Sequence, residues 1–120
     1  MQKMKVKKPW GTYEVLLDEP NYKVKRIVVH PYERFSLQYH KHREEHWVIV
    51  EGDCIVQVKG KEYPAIVRSH WVILPRELHR ATAGPNGLIF IETQTGDCRE
   101  EDIIRLEDDY GRLDSDVVSV

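Results

Sequence analysis

HPYERFSLQYHKHREEHWVIVEG, from His30 to Gly52, is the stretch of this sequence that decides the fold. On both sides of a short polar segment its apolar residues fall mostly at every second position, which is the period of β-strands. The polar segment concentrates histidines and glutamates in seven positions, namely His40, His42, Glu44, Glu45 and His46. The stretch therefore predicts two strands and a tight turn, with groups beside the turn that can bind a metal ion.

Strand periodicity indicates which of these groups share a site. Residues two apart in a strand point to the same face, so Gln38 and His40 can face the interior together. Glu45, on the returning strand, can lie opposite that pair. A fourth ligand should come from a distant strand, and His79, which follows the apolar run 71–75, is the best-placed candidate. We therefore predict a metal site of two imidazoles, one carboxylate and one amide.

This donor set predicts one divalent metal ion. Mixed nitrogen and oxygen ligands suit zinc, which we name first, or manganese, cobalt or nickel. A neutral amide in the fourth position leaves the centre with net positive charge, which favours stabilising a negative substrate oxygen. His42 and His46 lie on the opposite parity, so we expect them at the turn or the rim.

The rest of the chain continues the β pattern, since Gly, Pro, Asn and Asp interrupt it about every ten residues. We predict strands over residues 12–17, 22–29, 34–40, 45–50, 54–58, 71–74, 79–83 and 88–94, with turns that include 51–53 and 84–87. Only residues 100–106 look helical. The pattern predicts one all-β barrel or sandwich over residues 1–120, with a short C-terminal helical segment.

The composition limits the number of domains and the classes of partner that this chain can bind. The chain has 120 residues and is 41% hydrophobic, which suffices for one compact domain but not for two ordinary ones. The net charge is −2 with both signs scattered, which argues against nucleic-acid binding by phosphate neutralisation. The densest basic stretch, the lysines at positions 3, 5, 7 and 8, is short, and we expect it to be a solvated arm.

The sequence also predicts the compartment. No apolar run approaches the ~18 residues that span a bilayer, and the N-terminus is charged where a signal peptide is apolar. Cys54 and Cys98 lie far apart without a CxxC pair, which fits reduced thiols. We therefore expect a cytoplasmic protein without membrane contact.

The ligand pattern resembles the first motif of the cupin superfamily, G-x5-H-x-H-x3,4-E-x6-G. Aligning the final glycine on Gly52 places the motif glutamate at Glu45 and the second histidine at His40, so Gln38 replaces the first histidine. The resemblance implies a cupin barrel, which is a double-stranded β-helix or jelly roll.

The second cupin motif, P-x-G-x2-H, is matched more loosely. Pro75 is one residue too close to His79, and Arg76 stands where glycine is usual. We expect this departure to affect the loop before His79 more than the ligand itself.

The Gln-x-His variant within SLQYHKHREEHWVIVEG looks like the cupin domain of type II phosphomannose isomerases. That domain commonly forms the C-terminal half of a bifunctional isomerase and mannose-1-phosphate guanylyltransferase. The blocks 8–13, 22–27 and 94–112 also resemble this family, so the match covers nearly the whole chain in order. The quoted residues lack a guanylyltransferase half, so we expect GDP-mannose synthesis to need another protein.

The resemblance implies reversible interconversion of mannose 6-phosphate and fructose 6-phosphate. This reaction moves a proton between C1 and C2 and therefore needs a base. The resemblance marks Arg43 as functional, and Glu44 and His42 are further catalytic candidates; His46 and a lysine of the second strand remain open as the base. The candidates for binding the substrate phosphate are Arg80, Lys23, Lys25 and Arg112, with guanidinium groups preferred.

Two other functions compete with this interpretation. One is a sugar-binding or sugar-phosphate-binding cupin that keeps the metal without turnover. The other is an iron-dependent cupin dioxygenase, against which Gln38 counts because such enzymes usually use histidine-rich ligand sets. Small cupins often pair across an edge strand, so we also expect a homodimer.

Overall fold

A computed structural model describes residues 4–113, which form nine β-strands and no helix. The strands are β1 (Met4–Lys8), β2 (Gly11–Glu19), β3 (Tyr22–Val29), β4 (Leu37–Tyr39), β5 (Arg43–Val58), β6 (Lys61–Ala65), β7 (His70–Ile73), β8 (His79–Gly96) and β9 (Ile104–Glu107). The predicted all-β class is confirmed. Within residues 4–113 there is no helix long and apolar enough to cross a membrane.

Two long antiparallel strands organise the sheet. β5 has 16 residues and β8 has 18, and they pair from Arg43 opposite Gly96 to Val58 opposite His79. β3 pairs with the C-terminal half of β8, while β7 and β6 pair with successive halves of β5. β1 and β2 extend the sheet beyond β3, and β4 and β9 extend it beyond the start of β8. The sheet curls so that its alternating buried side chains face one interior.

The predicted turns at 51–53 and 84–87 are wrong, because β5 and β8 run through both segments. Their ladder instead shifts register between Ile49 and Glu51 and again before Cys54. Such β-bulges bend a strand without ending its pairing. Gly52 allows the bend: its φ is +79°, and a Cβ there would lie 2.1 Å from the carbonyl oxygen of Gly87.

The predicted helix near 100–106 is also wrong. Ile104–Glu107 forms strand β9, which pairs antiparallel with β4 and places Arg105 opposite Gln38. The short strand β4 offers unpaired backbone groups at its edge. The hydrogen bonds that β9 makes with them stabilise a strand more than the weak helix propensity of these residues stabilises a helix. This pairing brings the C-terminal block to the same end of the sheet as the candidate metal ligands.

The basic N-terminal stretch is a strand rather than an arm. Met4–Lys8 pairs with β2, and alternation exposes Lys5 and Lys7 as expected for solvated lysines. Val6 packs against the core, and Lys8, on the same face, lines the interior cavity. Lys3 lies outside the described residues.

An aromatic cluster forms the floor of the barrel. Phe35 packs edge-on against Trp10 and Trp47, with ring centroids 5.7 and 5.9 Å apart, and Trp47 lies 4.7 Å from Phe90. These side chains are almost fully buried, so they provide a rigid apolar base beneath the polar site. The two cysteines are buried and free.

Gly52→Ala should destabilise the protein much more than Gly60→Ala. Both glycines have φ +79°, but a Cβ at Gly60 meets nothing within 4 Å. We expect Gly60→Ala to lower the free energy of unfolding by about 1–2 kcal/mol through backbone strain. Gly52→Ala adds the clash with Gly87, for a total of about 3–4 kcal/mol. Urea unfolding measures both, and equal losses would show that β5 and β8 do not approach this closely.

Candidate metal centre and active-site cavity

Three of the four predicted ligands meet at the inner end of a cavity. His40 Nε2 lies 3.2 Å from Glu45 Oε2, and His79 Nε2 lies 3.7 Å from Glu45 Oε1. One ligand atom from each residue lies within 4.8 Å of the others, and all three side chains are buried. His40 follows β4, while Glu45 and His79 come from β5 and β8. This group could hold one metal ion.

Hydrogen bonds to the backbone orient both imidazoles. His40 Nδ1 lies 2.6 Å from the carbonyl oxygen of Asp102, and His79 Nδ1 lies 2.8 Å from that of Glu77. A carbonyl oxygen can only accept, so both Nδ1 atoms carry the proton and both Nε2 atoms present a lone pair. Burial lowers the pKa of both histidines, that of His40 to about 4. Neutral imidazoles beside a carboxylate fit a divalent metal.

Gln38 lies next to this group. It is the cross-strand partner of His79, it is half-buried, and it lines the same cavity. Its amide nitrogen donates to the carbonyl oxygen and the hydroxyl of Ser36, at 3.3 and 3.1 Å. The amide oxygen is therefore the atom left for a ligand, and its role as the fourth donor stays a prediction.

Arg43 is buried against the three ligands. Its Nε donates to Glu45 Oε2 at 3.0 Å, and its Nη2 lies 3.2 Å from His40 Nε2. Trp47 Nε1 donates to the other oxygen of Glu45 at 3.1 Å. Burial opposes a charge on Glu45, but His40 and His79, which are protonated at strongly acidic pH, and Arg43 outweigh it and lower the pKa of Glu45 well below its usual range. Glu45 is therefore an ionised carboxylate inside the barrel.

Glu92 is a site residue that our sequence analysis missed. It lies on β8 between Lys25 of β3 and Trp47 of β5, and it lines the cavity. Burial and the charge of Glu45 raise the pKa of Glu92 to about 8, so it is largely protonated at neutral pH. Gln94 Nε2 lies 2.6 Å from Glu92 Oε1. The alternation of side chains along β8 could have revealed Glu92, because a residue two positions after Phe90 points to the same inward face.

Two predicted catalytic residues lie outside the cavity. His42 is exposed, and its backbone N–H donates to Asp102 Oδ2 at 2.9 Å. Glu44 is on the outer face of β5, where it lies 2.5 Å from His46 Nε2. Alternation along β5 causes this, because Arg43 and Glu45 take the inward positions. Of the three predicted catalytic residues, the structure brings only Arg43 to the metal ligands.

The predicted phosphate-binding residues are divided in the same way. Arg80 follows His79 directly and so points to the opposite face of β8, where its Nε donates to the carbonyl oxygen of Phe35 at 3.0 Å. Lys23 is buried, but its Nζ donates to the carbonyl oxygen of Cys98 at 3.1 Å, and it does not line the cavity. Lys25 and Arg112 do line the cavity.

The cavity has a volume of about 150 Å³ and is rich in positive charge. Five cationic side chains line it, together with three glutamates, of which Glu92 is largely neutral at pH 7. Glu100 partly offsets them, since its carboxylate lies 2.7 Å from Lys25 Nζ. The cations are Lys8, Lys25, Arg43, Arg105 and Arg112. This excess favours an anionic ligand.

Comparison with known proteins assigns this chain to a family. Residues 1–108 match the family model described as mannose-6-phosphate isomerase C-terminal. The chain belongs to this family. The resemblance to type II phosphomannose isomerases is therefore confirmed at the level of the family.

Relatives of this mannose-6-phosphate isomerase C-terminal domain are larger proteins. A mannose-1-phosphate guanylyltransferase of Klebsiella pneumoniae is 38% identical over 108 residues, which cover 88% of this chain and 23% of that protein. The alginate biosynthesis protein AlgA of Pseudomonas aeruginosa is 40% identical over 109 residues, which cover 89% of this chain and 23% of AlgA. The chain thus spans about a quarter of the length of these relatives.

Solved structures confirm the cupin fold. An RmlC-like cupin from Shewanella frigidimarina has a TM-score of 0.74 and 22% identity, over 83% of this chain and 88% of that chain. A nucleoside dehydratase from Streptomyces has a TM-score of 0.76 and 15% identity, over 88% of this chain and 86% of that chain. At these identities the likeness shows the fold alone.

His79→Ala should weaken zinc binding at least about tenfold, because it removes one imidazole from the three-residue group. Calorimetric titration of the chelator-treated protein measures the affinity. His42→Ala is the matched control, since His42 is exposed and should leave zinc binding unchanged. Weakening in His42→Ala but not in His79→Ala would place the metal at the turn instead.

Glu92→Gln should flatten the dependence of stability on pH in the metal-free protein. The folded-state pKa of Glu92, about 8, exceeds its ordinary value of 4.5, so between these pH values the folded state keeps a proton that the unfolded state has released. Stability therefore falls as pH rises, by up to about 1.4 kcal/mol per pH unit from this group.

Urea unfolding from pH 5 to 9 measures the free energy of unfolding of the wild type and of Glu92→Gln. The test is the difference between their pH slopes, because the histidines contribute equally to the slope of both proteins. Glu62→Gln, at an exposed position on β6, should keep the wild-type slope. A slope unchanged by Glu92→Gln would mean that Glu92 is ionised in the folded state.

Proposed function

We propose that this domain is a metal-dependent isomerase that interconverts mannose 6-phosphate and fructose 6-phosphate. The observation that carries the proposal is a His/Glu/His group at the inner end of a cation-rich cavity, in a chain of the mannose-6-phosphate isomerase C-terminal family. The cavity charge suits a phosphorylated sugar, and the ligand group suits a reaction in which an oxygen becomes negative.

The reaction transfers a proton between C2 and C1 while the carbonyl and hydroxyl groups exchange positions. A divalent ion held by His40, Glu45 and His79 would supply positive charge to the oxygen that becomes negative. Arg43 acts beside it: its guanidinium holds Glu45 ionised and presents further N–H groups to the same end of the cavity.

Glu92 is the carboxyl group that we assign to proton transfer: its ionised form would accept the proton from one substrate carbon and return it to the other. Glu45 belongs to the metal-binding group, and Glu100 is paired with two lysines, which leaves Glu92 as the third carboxyl on the cavity wall. The earlier candidates His42 and Glu44 lie outside the cavity. Of the lysines that the sequence leaves open as the base, both of which lie on β3, only Lys25 lines the cavity.

The loop before His79 keeps this histidine at the metal-binding group despite its departure from the second cupin motif. Arg76 occupies the place where glycine is usual, yet it adopts φ +70°, the left-handed conformation that glycine favours. Its backbone N–H donates to the carbonyl oxygen of His40 at 2.7 Å. The departure from the second cupin motif therefore leaves His79 beside Glu45. The identity of the metal, the homodimer and the cytoplasmic location stay predictions.

A coupled assay for fructose 6-phosphate formed from mannose 6-phosphate tests the proposal. We expect activity that chelation removes and zinc restores. Arg43→Ala and Glu92→Gln should each lower kcat about 100-fold or more, as expected for lost electrostatic or proton-transfer groups. Gln38→Ala should lower kcat/KM if Gln38 is the fourth ligand. His42→Ala should keep wild-type activity.

The outcomes separate the alternatives. Loss of activity in Lys25→Gln together with retention in Glu92→Gln would move proton transfer to Lys25. A metal-loaded protein that binds mannose 6-phosphate without ever forming fructose 6-phosphate would overturn the isomerase and favour the sugar-phosphate-binding cupin. Oxygen consumption with bound iron would indicate the dioxygenase instead.

A further inference from the structure

We propose that Lys8, Arg105 and Arg112, which we call the outer cation cluster, form the subsite that binds the phosphate group of the substrate. All three line the cavity that holds the metal-binding group. They are half-buried, whereas the side chains of His40, Glu45 and His79 are at most 3% exposed. The cluster therefore lies nearer the solvent than the metal site. The identity of the sugar rests on the proposed function, but the phosphate contact does not require turnover.

Strand register fixes the position of Arg105. On β4, Gln38 pairs with His79 on one side and with Arg105 of β9 on the other. Paired residues on neighbouring strands point to the same face, so these three side chains form a row across the sheet. Two strand spacings, about 10 Å, separate the two ends of that row. A sugar between them would place its phosphate at Arg105 and its other end at the metal ligands.

Lys8 reaches the cavity from the opposite edge of the sheet. It is the last residue of β1 and pairs with Gly11, and alternation along β1 turns it inward while Lys7 points to solvent. Within residues 4–113 no carboxylate forms an ion pair with Lys8, and its Nζ lies 6.0 Å from the centroid of the Tyr13 ring. Its ammonium group is thus available to an anion.

Arg112 is held in a defined orientation. Its Nε and Nη2 donate to the two oxygens of Asp108, each at 2.9 Å. This two-pronged pair uses one edge of the guanidinium and leaves Nη1 for another acceptor. An arginine fixed in this way binds a phosphate oxygen at a lower entropic cost than a mobile one.

Both arginines lie close enough to Lys8 to repel its ammonium group. Burial and the positive charges of Arg105 and Arg112 lower the pKa of Lys8. Clustering like charges in a half-buried position is unfavourable unless an anion neutralises them. A phosphate monoester carries a charge of about −1.5 to −2 at pH 7 and three acceptor oxygens. It therefore matches the charges of Lys8 and Arg105 and the N–H groups of Arg112, whose own charge Asp108 partly offsets.

Calorimetric titration with inorganic phosphate and with mannose 6-phosphate tests the subsite. Both the zinc-loaded and the chelator-treated protein are used, so that a metal–phosphate contact cannot account for the result. Lys8→Gln, Arg105→Gln and Arg112→Gln should each weaken binding of both ligands about 10- to 100-fold, the usual range for hydrogen bonds to charged groups. Lys7→Gln is the matched control on β1 and should bind as the wild type does.

Charge-conserving variants separate a binding role from a folding role. Lys8→Arg and Arg105→Lys should recover much of the affinity that the glutamine variants lose. Unchanged affinity in all three glutamine variants would overturn the subsite, as would failure of inorganic phosphate to compete with mannose 6-phosphate in the wild type.

Turnover distinguishes the two proposals. If fructose 6-phosphate never forms but the glutamine variants lose phosphate binding, the subsite stands and the isomerase does not. If the wild type turns over and the three variants keep its KM, the isomerase stands and the phosphate must bind elsewhere.

Discussion

The pairing of β5 with β8 is the constraint on which the rest of the structure depends. These two strands contribute Glu45 and His79, and the bulges near Gly52 let both bend so that a single curved sheet encloses the site. Every other strand that approaches the metal group attaches directly or indirectly to this pair. A loss of close approach at Gly52 would therefore disturb the core and the site together.

The buried charges at the inner end of the cavity depend on one another. An ionised carboxylate inside a barrel is unfavourable unless charged and hydrogen-bonding groups surround it, and both oxygens of Glu45 accept hydrogen bonds, one from Arg43 and one from Trp47. Burial and the charge of Glu45 in turn raise the pKa of its neighbour Glu92 and keep it largely protonated. The site thus holds two carboxyl groups in different ionisation states at one pH: Glu45 is ionised, as a metal ligand must be, and Glu92 is largely neutral.

Charge in the cavity is graded from the interior to the surface. Neutral imidazoles and the ion pair of Glu45 with Arg43 occupy the inner end, and the outer cation cluster lies near solvent. For the sugar phosphate that we propose as the substrate, this gradient favours one direction of entry. The same strand alternation that turns Lys8 toward the cavity turns Arg80 and Glu44 away from it, so it decides which charges can take part.

The sequence alone determined the β class, most strands and the grouping of His40, Glu45 and His79, because alternation and motif spacing are local properties. It did not reveal that β5 and β8 are continuous, that residues 104–107 form a strand, or that Glu92 and Lys8 face the cavity. Those features depend on which distant strand pairs with which, in what register and with what bend. Only the tertiary structure sets these pairings, since their partners lie far apart in the chain.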